Sequence, residues 1–137
     1  MVTALYASVL AGLMVWLSLK VINQRRASKV PYSDGGVDEL VIARTAHSNA
    51  AEYIPITLIL LALAEFNGAG AILIHIFGTI FFFGRWIHAR AILNENVAGR
   101  IRGMKITFAC IAALIVLNLI YVPRTYALSA SLKFDIG

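Results

Sequence analysis

The sequence has little charge, one cysteine and few prolines, and each shortage narrows what the chain can be. Only 14% of the residues are charged, whereas a soluble domain carries roughly 25%. With 60% hydrophobic residues and a mean hydropathy of +0.80, the chain reads as an integral membrane protein rather than a soluble one with a large core. The lone Cys110 lies inside an apolar run, so there is no disulfide framework and no cysteine-based metal site. It reads as a small buried hydrophobe. No metal-ligand spacing, phosphate-binding loop or nucleophile elbow occurs, and neither does an internal repeat or a low-complexity segment. Acidic residues are outnumbered, seven to twelve. A net charge of +5 would suggest nucleic acid in a polar protein. Here the cations gather in two connections between apolar runs, which fits membrane topology and leaves nucleic acid out as a partner.

Four apolar runs remain. A helix rises 1.5 Å per residue, so about 20 apolar residues cross a hydrocarbon core about 30 Å thick. The runs predict helices over residues 3–26, 37–65, 69–93 and 100–122, followed by a tail at 123–137. Together they form one all-α membrane domain, a transmembrane four-helix bundle occupying 1–137. Residues 1–19 are too long for a signal-peptide core and no basic residue precedes them, so they read as a retained first helix. The tail reads as short, mixed, and interfacial or partly disordered.

The connections set the orientation. Pro31, Asp34, Gly35 and Gly36 break the chain between helices one and two, and only Glu65-Phe66-Asn67-Gly68 separates helices two and three. The polar stretch 88–105 is expected to extend helices three and four beyond the bilayer. Arg25, Arg26 and Lys29 fall in the first connection, and Arg85, Arg90, Arg100, Arg102 and Lys105 in or beside the third. The second has no Lys or Arg. The positive-inside rule then predicts cytoplasmic connections one and three, with both termini on the opposite side.

Polar residues inside apolar helices are costly and need a partner or a role. At about 100° per residue, Thr45, Ser48, Asn49, Glu52, Tyr53 and Ile56 share one face of helix two, with His47 pointing well away and Arg44 flanking it. Pro55 follows, and a bend there would open space beside Glu52. On helix three, Arg85, His88 and Ile92 share a face, which places Arg85 to meet Glu52. An internal salt-bridge network explains this pattern as well as a ligand site does. The arginine surplus favours an anionic ligand bearing carboxylates, because guanidinium grips them with two prongs. Topology signalling and contact with lipid head groups account equally well for Arg26, Arg90 and Lys105. His75 reads as packed or hydrogen-bonded, and Asn118 as an interhelical hydrogen bond. Ala4, Ser8 and Gly12, at four-residue spacing, read as a close-packing stripe.

The stretch Thr45-Ala46-His47-Ser48-Asn49-Ala50-Ala51-Glu52-Tyr53-Ile54-Pro55 resembles the second-helix signature of the MAPEG family, the membrane-associated proteins in eicosanoid and glutathione metabolism. The run from Val21 through Asn23-Gln24-Arg25-Arg26 to Val30, then Gly84-Arg85-Trp86-Ile87-His88 and Arg100-Ile101-Arg102-Gly103, are similar to the family's other helix motifs, in matching order. The small bacterial inner-membrane members are the most similar group. The resemblance implies a homotrimer with sites between subunits, and glutathione bound in a bent shape near the cytoplasmic face. It implies that Arg25 or Arg26 binds or polarises substrate. Asn49, Glu52 and Tyr53 would hold the glutathione backbone, with Arg85 and His88 supporting them. Arg102, or Arg100 one register away, would stabilise the thiolate. An adjacent arginine raises the thiolate fraction of a thiol, and the thiolate is the nucleophile.

Ile92 stands where the eukaryotic enzymes usually carry a tyrosine, which argues against eicosanoid synthesis. The leading expectation is a glutathione-dependent transferase or peroxidase acting on lipophilic small molecules in the bilayer, with glutathione as co-substrate and no metal. A non-catalytic binding or scaffold protein using the same pocket is the alternative. A small proton-coupled exporter is a more distant one.

Overall fold

The computed structural model describes the backbone of residues 1–134 and side chains through residue 122. Four helices follow in order: α1 (Thr3–Ser28), α2 (Asp38–Phe66), α3 (Ala71–Leu93) and α4 (Val97–Phe134). All four are long and apolar enough to span a membrane, and no strand occurs among the described residues. The first three agree with the expected runs to within two residues at each end. The fourth differs: it begins at Val97 and continues through Pro123 to Phe134, rather than stopping at 122. Proline removes one backbone donor without forcing a stop, and residues 124–134 include good helix formers and no glycine. The expected interfacial character of the tail concerns side chains outside the described residues.

The connections close through left-handed residues. Lys29 ends α1 with φ 57° and its N–H on the Arg25 carbonyl. Gly68 (φ 92°) turns the α2–α3 hairpin, where Ala69 N–H reaches the Ala64 carbonyl at 2.9 Å. Glu95 (φ 54°) turns α3 into α4, so helices replace nearly all of the polar stretch 88–105, as its composition predicts.

The core runs along the bundle axis. α1 contributes Tyr6, Leu10, Leu13 and Leu17; α2 contributes Ala46, Ala50, Ile54 and Leu61; α3 and α4 add Ile74, Phe81 and Leu114. The spacings of three and four residues are those of one helix face. At most 33% of any span's apolar window is buried within the chain, so most apolar side chains face outward, toward lipid or another subunit. The stripe of Ala4, Ser8 and Gly12 is among them: all three are exposed, and a Cβ added at Gly12 would meet nothing within 4 Å. The expected close packing there is not made inside the chain, because α1 buries the opposite side.

Glycine permits a close approach of the α3 and α4 backbones. A Cβ at Gly103 of α4 would sit 2.6 Å from His88 Cβ and 2.7 Å from its backbone nitrogen on α3, closer than packed atoms allow. Gly103→Ala must therefore push α3 and α4 apart. It is expected to lower stability by about 1–3 kcal/mol, the usual cost of overpacking, as read by thermal unfolding in detergent.

Candidate functional site

The centre of the site is Arg85, which is fully buried where α2, α3 and α4 meet. One Nη2 hydrogen goes to Asn49 Oδ1 of α2 at 2.9 Å, and Nη2 also lies 3.3 Å from His88 Nδ1. Nη1 donates to Thr107 Oγ1 of α4 at 3.3 Å. The guanidinium carbon lies 5.6 Å from the centre of the Tyr53 ring, whose edge contacts Phe108. Arginine can only donate, so His88 Nδ1 accepts and the ring proton belongs on Nε2. That Nε2 and Arg85 Nε have no hydrogen-bond partner among the described residues.

No carboxylate comes within ion-pair distance of Arg85 among the described residues. The expected meeting of Arg85 with Glu52 is therefore not formed. Asn49 and Glu52 are three residues apart and diverge by about 60° around the helix. Asn49 turns inward to Arg85, and Glu52 is exposed. Neutral oxygens, an imidazole nitrogen and an aromatic face solvate the buried charge instead.

Glu52 faces a broad open cleft of about 710 Å³, lined by Arg25 of α1 and by Arg44, Ser48, Asn49 and Glu52 of α2, among others. The volume lies in the range of small-molecule sites. Arg25 is half-buried and donates to the Val30 and Pro31 carbonyls at 3.4 and 3.3 Å, which ties the end of α1 to its loop. Arg44 pairs with Asp34 of that loop at 3.2 Å. His47 also lines the cleft, although its helical phase points away from the Asn49–Glu52 arc. It borders the buried alanine stripe on the far side from Asn49, and the cleft is wide enough to reach it. Pro55 lies inside continuous α2 and has no N–H, so the Ala51 carbonyl beside Glu52 lacks its usual intrahelical donor.

The remaining expected residues lie elsewhere. Tyr53 is half-buried against Arg85 rather than lining the cleft. Arg26 and Arg102 are exposed and do not line it. Arg100 lines an adjoining pocket of about 300 Å³ with Ile92, and this pocket shares Val41 and Thr45 with the cleft. Sequence reasoning missed Thr107, whose hydroxyl accepts from Arg85 and donates to the Gly103 carbonyl at 2.9 Å. The available signal was its position one turn after Gly103, where α3 and α4 approach closely.

A model of the MAPEG family matches residues 3–120. The chain is also similar to the inner membrane protein YecN of Escherichia coli strain K12, at 37% identity over 123 residues, covering 90% of this chain and 94% of that protein. YecN of E. coli O6:H1 strain CFT073 matches equally well. The chain belongs to the MAPEG family. Like other proteins built on this signature, it is a multi-pass membrane protein, and the motif on α2 now has a geometry. In that motif Asn49 faces the buried arginine while Ser48 and Glu52 face the open cleft.

This division predicts unequal mutational costs. Asn49→Ala removes the α2 acceptor of a buried cation and is expected to lower stability by about 2–3 kcal/mol, since hydrogen bonds to charged groups contribute ~1.5–3. Glu52→Gln should stay within about 0.5 kcal/mol, as for an exposed residue without a partner. Thermal unfolding of the purified variants checks both. Equal losses would show that Arg85 depends on Glu52 after all.

Proposed function

We propose that this MAPEG protein is a glutathione-dependent transferase or peroxidase that activates the glutathione thiolate for attack on lipophilic electrophiles dissolved in the bilayer. The observation that carries this reading is the cleft itself. Arg25, Asn49 and Glu52 line one opening, with Arg85 held immediately behind Asn49. A tripeptide thiol carries two carboxylates and an ammonium, and these groups match an arginine, an amide and a glutamate. Glu52 is exposed and makes no hydrogen bond or ion pair among the described residues, which leaves it available to take the amino group.

Thiolate stabilisation needs a further cation, assigned here to Arg102, with Arg100 as the alternative and Arg26 at the substrate side. None of the three lines the cleft within one subunit. A homotrimer accounts for this: a neighbouring copy closes the cleft and supplies the arginine. The exposed small-residue stripe Ala4–Ser8–Gly12 suits close approach of helices from different subunits. The protein is assigned to the inner membrane, with connections one and three, and hence the cleft, in the cytoplasm.

Titrating the purified protein with glutathione tests the mechanism. Thiolate absorbance in the ultraviolet is expected at millimolar glutathione, and Arg102→Ala should abolish it while leaving the fold intact. Absence of the signal in the unmodified protein would sink the mechanism. Thermal stabilisation by glutathione without conjugation of a generic electrophile would instead identify a binding protein.

A further inference from the structure

A second polar groove lies on the other side of the bundle, between α1 and α3. It has a volume of about 490 Å³ and is lined by Trp16, Lys20, Gln24, Trp86, Arg90 and Asn94, together with Leu93. Trp16 and Trp86 stack across it, with ring centres 5.4 Å apart and planes 29° apart. Lys20 Nζ lies 5.7 Å from the centre of the Trp16 ring, and the Arg90 guanidinium lies 5.8 Å from that of Trp86. The two rings thus form a platform with one cation over each.

Among the described residues neither cation has an ion-pair partner, and the side chains of Gln24 and Asn94 make no hydrogen bond. No carboxylate lines the groove. Glu39 and Glu95 line an adjoining cleft that shares Lys20 and Gln24, but neither reaches within 4 Å of Lys20, and Arg90 does not line that cleft. The groove therefore has a surplus of donors and positive charge that no described residue lining it receives.

Its depth is informative. Lys20 lies about 26 Å along α1 from Thr3, and Arg90 about 29 Å along α3 from Ala71, at 1.5 Å per residue. Both distances approach the thickness of the hydrocarbon core, which places the cations where head groups begin. The paired tryptophans sit just beneath them, where indoles favour the interface. Lysine and arginine stems lie along apolar surface while their charges reach up.

We propose that this groove is a binding site for the phosphate of an anionic membrane phospholipid. Lys20 and Arg90 would hold the phosphate, Gln24 and Asn94 would donate to the head group, and the stacked indoles would pack against the acyl chains below. It is separate from the Arg25–Glu52 cleft and shares no lining residue with it.

Trp16 and Trp86 are the chain's two tryptophans, so their fluorescence reports on this groove alone. The full-length protein is reconstituted in phosphatidylcholine containing a small fraction of lipid with brominated acyl chains, either phosphatidylglycerol or phosphatidylcholine. Brominated phosphatidylglycerol is expected to quench more strongly, with a preference falling about fivefold for each of Lys20→Gln and Arg90→Gln, the effect of ~1 kcal/mol per cation. Lys105→Gln, an exposed cation lining neither groove, should leave the preference unchanged. The proposal is overturned if the two lipids quench equally, or if neither quenches because another subunit covers the groove. An equal response to Lys105→Gln would also overturn it, showing general surface attraction. So would displacement by inorganic phosphate, showing a soluble anion as the occupant.

Discussion

A guanidinium cannot shed its charge, so Arg85 must be solvated wherever the fold places it, and the fold places it at the meeting of three helices. Each helix supplies a different neutral partner: Asn49 from α2, His88 from α3 itself and Thr107 from α4. The face of Tyr53 covers the remaining side. A buried charge missing any of these would be strongly destabilising. The requirement therefore fixes the relative rotation and depth of α2, α3 and α4 more tightly than interchangeable apolar contacts could. Gly103 completes the arrangement, because only a missing side chain lets α4 bring Thr107 near enough while His88 backs onto it.

That internal solvation also divides the polar arc of α2. Residues that satisfy Arg85 are used up structurally, and those one step around the helix remain free to face outward. Asn49 belongs to both groups, since it binds Arg85 and borders the cleft. A ligand touching Asn49 would be felt at Arg85 and so by all three helices.

Much of this was legible in the sequence. The four apolar runs gave four helices, Arg85 and His88 share the buried face that their spacing implies, and Asn118 hydrogen-bonds the Leu60 carbonyl of α2 at 2.9 Å. His75 meets the Tyr6 hydroxyl at 2.9 Å, and Cys110 is buried. The failures have separate origins. Opposite charges at similar depth suggested that Arg85 pairs with Glu52, but angular phase, not depth, decides which of two residues three apart faces a neighbour. A threonine in an apolar run carries little signal, so Thr107 was passed over. The Ala4–Ser8–Gly12 stripe was read as a close-packing face without a neighbour, since periodicity does not say which face of α1 the chain itself covers, and the three residues are exposed.

The two ends of the bundle are held very differently. At the hairpin end the Glu65 carboxylate accepts the backbone N–H groups of Val2 and Thr3, and Tyr6 bridges to His75 and Thr79. Asn49 lies about 24 Å along α2 from that clamp, at 1.5 Å per residue. The helix is thus a lever pivoted at one membrane face with its working residues near the other. A change of tilt of about 3° about the pivot carries Asn49 through about 1.3 Å at that radius, nearly half a hydrogen-bond length. Helix tilt responds to bilayer thickness, and a shift of that size would break the Asn49–Arg85 hydrogen bond, so that bond holds this end of α2 in place.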